Sequence, residues 1–490
     1  GWLPSTTLNT SVLNQLPKKK KTSMKNNFNI KYFAFSLMAL FVLSSCMTRE
    51  KYERPKEAVN ENLFRTDKLP QDSTSIATVS WREIFTDNVL QKHIQNGLEN
   101  NLDIRIALQN IVDAESYLKQ SKAAYLPTIA VGPGYTLQTP SLNNGNASER
   151  RYNNIFDVGG DISWEADIWG KLRAHEKSQY AQYLGTTAAH KAVKTDLVAA
   201  IASAYYQLLT FDEQKRIINE TISLRKKNLE TTKALKEAGT LTEVAVQQSE
   251  ALVFNAESLL INIDTQIALL ENTMSLLMGI PSQNIERTTL AQQKMPTNYK
   301  LGFSANLLSN RADVMQSEYN LMSAFELTNV AKAQFYPSLR IGGSGGIQSS
   351  DIDKLFSANS LFATLVGSLT QPILNQRQIR TTYDVSLAIN EKSNLNFRKT
   401  LLNAGKEVSD ALKVYDAQDA FINLKRKELV AYQKSVEFSQ ELVNYGMANY
   451  LEVLNASVNS LNAELNISNA EYAKMKAGVE LYQALGGGWR

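Results

Sequence analysis

Cysteine is almost absent from this chain. Cys46 is the only one in 490 residues, so no internal disulfide braces the fold. The three histidines, His93, His175 and His190, lie far apart and lack the short spacings of zinc ligands, which argues against a His/Cys metal centre. No metal and no cofactor is expected. Long apolar runs are missing as well. The longest, residues 32–45, falls short of the ~20 residues that a membrane-spanning helix requires. A helical membrane protein is thereby excluded, whereas a soluble protein and a β-barrel membrane protein both remain open. No Gly-Lys-Ser or Gly-Lys-Thr occurs, so a P-loop nucleotide site is excluded. Acidic residues are absent from residues 1–45, which carry six lysines (Lys18, Lys19, Lys20, Lys21, Lys25 and Lys31). Outside that segment 46 basic residues face 48 acidic ones. The net charge of +4 therefore belongs to the leader, and no basic surplus remains for nucleic acid.

The leader has the layout of an export signal. Met24 opens a segment with Lys25 and Lys31, then an apolar stretch, then Leu43-Ser44-Ser45-Cys46. Charged, apolar and small-residue regions in that order mark a secretory signal. Small residues directly before a cysteine resemble a bacterial lipobox, which implies that Cys46 becomes the lipidated first residue of the mature chain. Met47 stands where aspartate would signal retention in the inner membrane, so the resemblance favours the outer membrane. Residues 1–23 precede a start-like Met24, show no periodicity, and are set apart from the fold.

The mature chain reads as one unit written twice, over residues 46–280 and 281–490. Lys122-Ala123-Ala124-Tyr125-Leu126-Pro127 matches Lys332-Ala333-Gln334-Phe335-Tyr336-Pro337 at an offset of 210. Leu172-Arg173 matches Ile379-Arg380, and Gly239 matches Gly446, both at 207. Shared order over such a period indicates repeated supersecondary units. Between Lys171 and Ala238 there is no proline and one glycine, Gly185; between Gln376 and Tyr445 the only glycine is Gly405. Each stretch predicts a helical rod on the order of 100 Å at ~1.5 Å per residue. Leu197, Ile201, Ala204, Tyr205, Leu208 and Leu209 recur at heptad-like spacing, as in packed long helices. Gly239 and Gly446 end the rods as C′ glycines would, so residues 172–278 and 378–485 each predict an antiparallel helical hairpin.

Four runs alternate with period two, over about 128–138, 154–164, 338–348 and 361–370. In the second, Phe156, Val158, Ile162 and Trp164 alternate with Asp157, Gly159, Asp161 and Ser163. In the third, Leu339, Ile341 and Ile347 alternate with Arg340, Gly342, Ser344 and Gln348. The runs have the ~9–11 residue length of tilted transmembrane strands. Gly342-Gly343-Ser344-Gly345-Gly346 fits the Gly-x-Ser-x-Gly hydrolase elbow formally, but lies within an alternating strand with no helix directly after it. Four strands cannot close a barrel, and open edges in hydrocarbon cost several kcal/mol per unpaired group. Two chains would give eight strands with a packed interior, and three would give twelve with room for a pore. A pore therefore predicts a homotrimer, with Asp157, Asp161, Ser163, Arg340 and Gln348 facing a wet lumen.

Several segments now carry a family resemblance. Trp81-Arg82-Glu83-Ile84-Phe85 with Asp87 and Leu90, and Asn101-Leu102-Asp103, resemble the mature N-terminal part of TolC-like outer membrane efflux proteins. Ser163-Trp164-Glu165-Ala166-Asp167-Ile168-Trp169-Gly170-Lys171 resembles their strand-to-helix junction, and Gln371-Pro372-Ile373-Leu374 their second junction. Arg311-Ala312-Asp313-Val314 is similar to their Arg-Pro-Asp-Val segment, with alanine replacing proline. Leu481-Tyr482-Gln483-Ala484-Leu485 followed by Gly486-Gly487-Gly488-Trp489 is similar to their ending.

The resemblance covers residues from about 50 to the end and is strongest to the lipoprotein branch serving resistance–nodulation–division pumps. It implies a mainly α fold with a small β part: a trimeric helical barrel in the periplasm below a twelve-stranded barrel in the outer membrane. The implied function is passive, an exit duct for drugs or other small molecules, with no enzyme activity. The implied partners are a periplasmic adaptor, an inner-membrane transporter and outer-membrane lipid. By the same resemblance Glu452 falls on an acidic gate position at the second tip, whereas Asn455 replaces an acid at the other. Gly239, Thr240, Gly446 and Met447 fall on tips that contact the adaptor. A periplasmic coiled-coil lipoprotein acting as an interaction or adaptor protein and a type I secretion channel are the alternative readings. The first has no use for apolar outward faces on paired strands.

Overall fold

The computed structural model describes residues 50–55, 79–141, 152–293, 311–447 and 449–489. Cys46 and the leader lie outside them. Three helices come first: α1 (Trp81–Ile84), α2 (Asn88–Asn100) and α3 (Leu102–Ala123). Strands β1 (Thr128–Gln138) and β2 (Asn153–Ala166) follow, then the long helices α4 (Lys171–Glu237) and α5 (Glu243–Leu277). The second half repeats the order from α3 onward: α6 (Ala312–Ala333), β3 (Ser338–Ser349), β4 (Leu361–Thr370), α7 (Gln378–Asn444) and α8 (Tyr450–Ala484). Helices in matching places have equal lengths. α3 and α6 have 22 residues, α4 and α7 have 67, and α5 and α8 have 35. At ~1.5 Å per residue α4 and α7 are rods on the order of 100 Å. The scarcity of proline and glycine lets both run unbroken.

The largest buried cluster lies midway along these rods. Leu90 and Ile94 of α2 pack onto Ile201, Tyr205, Leu208 and Leu209 of α4, with Met274 of α5, Val408 of α7 and Val479, Leu481 and Tyr482 of α8. The heptad-spaced residues Leu197, Ile201, Ala204, Tyr205, Leu208 and Leu209 are all buried here. Asp87 locks the belt. One carboxylate oxygen accepts the Val89 and Leu90 N–H groups at 2.8 and 3.3 Å and so caps α2. The other accepts from the Tyr205 hydroxyl at 2.9 Å, Gln293 Nε2 at 2.7 Å and the Thr288 hydroxyl. Burial alone would raise the Asp87 pKa, but these hydrogen bonds outweigh it and hold the carboxyl below its ordinary value.

Arg311, 7% exposed, joins three elements. It donates to the Ala484 carbonyl at the end of α8, to Asp313 in the first turn of α6, and to Glu407 of α7. Ala312, where the family pattern has proline, is the first residue of α6. That position suits proline but does not need it.

Candidate channel wall and hairpin tips

The four strands form one antiparallel sheet in the order β1-β2-β3-β4. Its register sorts side chains by chemistry, because directly opposed residues share a face. Asp157 stands opposite Gln348, Asp161 opposite Ala130 and Ser344, and Ser163 opposite Thr128 and Gly342. Arg340 stands opposite Glu165 and Ser368. All five expected lumen residues (Asp157, Asp161, Ser163, Arg340 and Gln348) thus fall on one face.

The other face carries Ile129, Val131, Tyr135 and Leu137 of β1, Val158 and Ile162 of β2, Ile341 of β3, and Leu361, Leu365 and Leu369 of β4. Every one of these is exposed, Val131 and Leu365 at 77% and 80%. Such a continuous apolar face in water would be an unmet interaction surface. The Gly342–Gly346 run lies inside β3 with no helix after it, so no nucleophile elbow exists there. At Gly346 an added Cβ would sit 2.3 Å from the Val158 carbonyl oxygen and 2.5 Å from Gly159 Cα, so the closeness of β2 and β3 requires glycine.

The polar face holds two further residues that shape it. Glu165 receives Arg340 Nη2 at 3.4 Å and an ion pair from Lys171 at the start of α4. Its place two residues after Ser163 was the available signal. Phe362 is the second: it is opposite Gly346, and its ring tip lies beside Gly159. Its size fills space that the glycines leave.

The junctions are braced by tryptophan. Trp164 Nε1 donates to the Tyr125 carbonyl at 2.8 Å and Trp169 Nε1 to the Pro337 carbonyl at 2.7 Å. The Trp169 ring stacks on Tyr336 at 4.8 Å between centroids. Asp167 accepts the Leu172 and Arg173 N–H groups at 2.8 and 3.1 Å, capping α4. Gly170 takes φ 73° at that junction, whereas the second junction places Gln376 and Arg377 at φ 54° and 65°.

At the far ends of the rods both turns share one hydrogen-bond pattern. Gly239 N–H donates to Lys236 O and Thr240 N–H to Leu235 O, each at 2.9 Å. Gly446 N–H donates to Val443 O and Met447 N–H to Leu442 O, also at 2.9 Å. This is a Schellman cap, and the left-handed φ of 78° at Gly239 and 69° at Gly446 is what makes glycine the suitable residue. Gly239, Thr240, Gly446 and Met447 are all exposed. Glu452 and Asn455 are exposed in the first turns of α8, while the neighbouring Tyr450, Val453 and Ala456 are buried. Sequence reasoning missed Tyr450, which has no charge and no motif.

Among the described residues no cluster of His, Cys, Asp and Glu is arranged to hold a metal ion, and no helix is long and apolar enough to cross a membrane.

The sequence model of outer membrane efflux proteins matches residues 93–280 and 304–487. The chain belongs to the outer membrane efflux protein family. The two matched segments fall one in each half of the repeated element order. Relatives include the cation efflux system protein CusC of Escherichia coli O157:H7, 26% identical over 454 residues, or 91% of this chain and 97% of that protein. The solvent efflux pump outer membrane protein SrpC of Pseudomonas putida is 26% identical over 471 residues, or 94% and 99%. The outer-membrane channel OprN shares the fold with a TM-score of 0.81 at 20% identity, over 90% of this chain and 99% of that one. Family members are transport channels rather than enzymes.

Proposed function

We propose that this chain is the outer-membrane exit duct of a tripartite efflux pump, a passive conduit for small molecules. The register of the sheet carries this reading: one face wet and charged, the other apolar and exposed, on four strands of membrane-spanning length. β1 and β4 lie at the edges of the sheet. Pairing β4 of one copy with β1 of the next closes twelve strands in a homotrimer, which leaves no backbone group unpaired in hydrocarbon. Rows of exposed apolar residues on the helices, such as Phe254 and Ile261 of α5 and Leu395 and Leu402 of α7, would be covered by the neighbouring copies.

In this reading residues 46–280 and 281–490 are the two copies of a duplicated repeat. Cys46 is lipidated and anchors the chain to the outer membrane, with the helices in the periplasm. Asp157, Asp161, Ser163, Arg340 and Gln348 line the lumen. The tips at Gly239, Thr240, Gly446 and Met447 receive a periplasmic adaptor, which links the duct to an inner-membrane transporter of the resistance–nodulation–division type. Glu452 forms an acidic ring at the narrow end, where three like charges repel one another and attract cations. Asn455 leaves that gate with one acidic ring. Relatives named for cations and for solvents match this chain over 97% and 99% of their own length, which supports a duct whose cargo is chosen by the transporter.

Cross-linking in whole cells followed by capture of the full chain tests the assembly. A trimer carrying the adaptor is expected, and Thr240→Arg with Met447→Arg should lose the adaptor and keep the trimer. A monomer in the outer-membrane extract would overturn the reading. Glu452→Ala should raise leak conductance of trimers in planar bilayers, and an unchanged closed-state conductance would remove the gate.

A further inference from the structure

Tyr450 is the first residue of α8, directly after the Asn449 cap, whose side chain accepts the Leu451 N–H at 3.0 Å. Its ring is 5% exposed and packs in a cluster with Ala245 of α5, Val443 of α7 and Val453. Its hydroxyl donates to Ser249 Oγ of α5 at 3.2 Å and lies 2.9 Å from Thr232 Oγ1 of α4. Thr232 and Ser249 are both deeply buried. One side chain of the second hairpin is thereby bonded to both helices of the first.

This contact constrains rotation in a way that apolar packing does not. Val453 and Ala456 offer small smooth surfaces that would pack after a modest turn of the helix about its axis. The buried hydroxyl would not, because turning it away strands it and Ser249 Oγ without partners, while Thr232 keeps the Asn228 carbonyl at 2.8 Å. Tyr450 and Val453 pack beside Ala245 of the first hairpin, while Glu452 and Asn455 are exposed. At ~100° per residue Glu452 lies about 200° round the helix from Tyr450. Whatever fixes Tyr450 also fixes the direction of the Glu452 carboxylate.

We propose that Tyr450 is a positioning residue for the gate: its hydroxyl, bonded to Ser249 and Thr232, sets the rotation of the first turn of α8 and aims Glu452 away from the first hairpin, into the pore. This rests on the reading of Glu452 as a gate. Tyr450→Phe keeps the ring and its packing and removes only the bonded oxygen. Ser249→Ala removes the acceptor from the other side.

The test is block of the full-length trimer in planar bilayers by Mg2+ added at the tip side, for the parent, Tyr450→Phe, Ser249→Ala, Glu452→Gln and the double variant Tyr450→Phe/Glu452→Gln. Glu452→Gln should weaken block about tenfold or more, and Tyr450→Phe and Ser249→Ala about fivefold each, a free-energy change of ~1 kcal/mol. The double variant should match Glu452→Gln alone, since a misaimed neutral side chain has nothing further to lose. Unweakened block in Glu452→Gln would defeat the gate and this proposal with it. Weakened block in Glu452→Gln beside full block in Tyr450→Phe would defeat the positioning role and leave the gate standing. Additive losses in the double variant would also overturn it, because Tyr450 would then act independently of Glu452.

Discussion

Replacing Leu365 by arginine separates a membrane barrel from a sheet in water, because the two environments predict effects of different size. Leu365 lies mid-strand in β4 opposite Gly343, 80% exposed, on the face shared with Ile129, Val131 and Ile162. In hydrocarbon an arginine near the midplane of a barrel strand costs about 2–4 kcal/mol. Three copies in a trimer bring that to about 6–12 kcal/mol, comparable with the stability of a whole domain. In water the same substitution at an exposed position would change stability by no more than about 0.5 kcal/mol. Thr364, one residue earlier, is on the opposite, polar face, facing Ser344. Thr364→Arg should therefore be tolerated. The assay is heat-modifiable gel migration of detergent-extracted outer membranes: Leu365→Arg should abolish the compact trimer band and Thr364→Arg should retain it. Equal behaviour of the two variants would refute the assignment of faces.

Further outcomes follow from the same geometry. Gly346→Val should abolish the trimer band by blocking β2–β3 pairing, whereas Gly367→Val, where an added Cβ meets nothing within 4 Å, should leave it intact. Asp87→Asn should destabilise the belt by ~1–3 kcal/mol at neutral pH, since an amide presents a donor to the groups that now donate to the carboxylate. The Asp87 pKa is lowered from 3.8 in the fold, so its contribution is fully present above that value and is lost as pH falls through the lower folded value. Thermal unfolding followed from neutral to acid pH should show the gap between parent and Asp87→Asn narrowing in acid. Gly239→Val and Gly446→Val should each cost about 1–2 kcal/mol through the left-handed backbone, visible as faster amide exchange at the tips with the belt unchanged.

The long helices and the four strands were legible because their signals are local. The absence of proline with a single glycine over 67 residues, and alternation over about ten, leave little choice of element. The shared face of Asp157, Asp161, Ser163, Arg340 and Gln348 was legible for the same reason, since alternation assigns a face before any partner strand is known. Glu165 escaped because it sits beside the junction motif and was read with that motif rather than with its strand. The contacts of Asp87 with Tyr205 and Gln293 and of Arg311 with the Ala484 carbonyl were invisible, since each joins residues more than a hundred positions apart. Tyr450 escaped for a related reason: a tyrosine at a helix start looks like ordinary core, and only the meeting of two hairpins shows what its hydroxyl holds.

Single-channel recording of the purified full-length protein in planar bilayers tests the central claim most directly. The account predicts that the trimer inserts as one stable unit with a steady ionic conductance, and that Glu452→Ala raises its closed-state leak. Purified trimers that insert and conduct nothing, or conductance from a monomer, would contradict it.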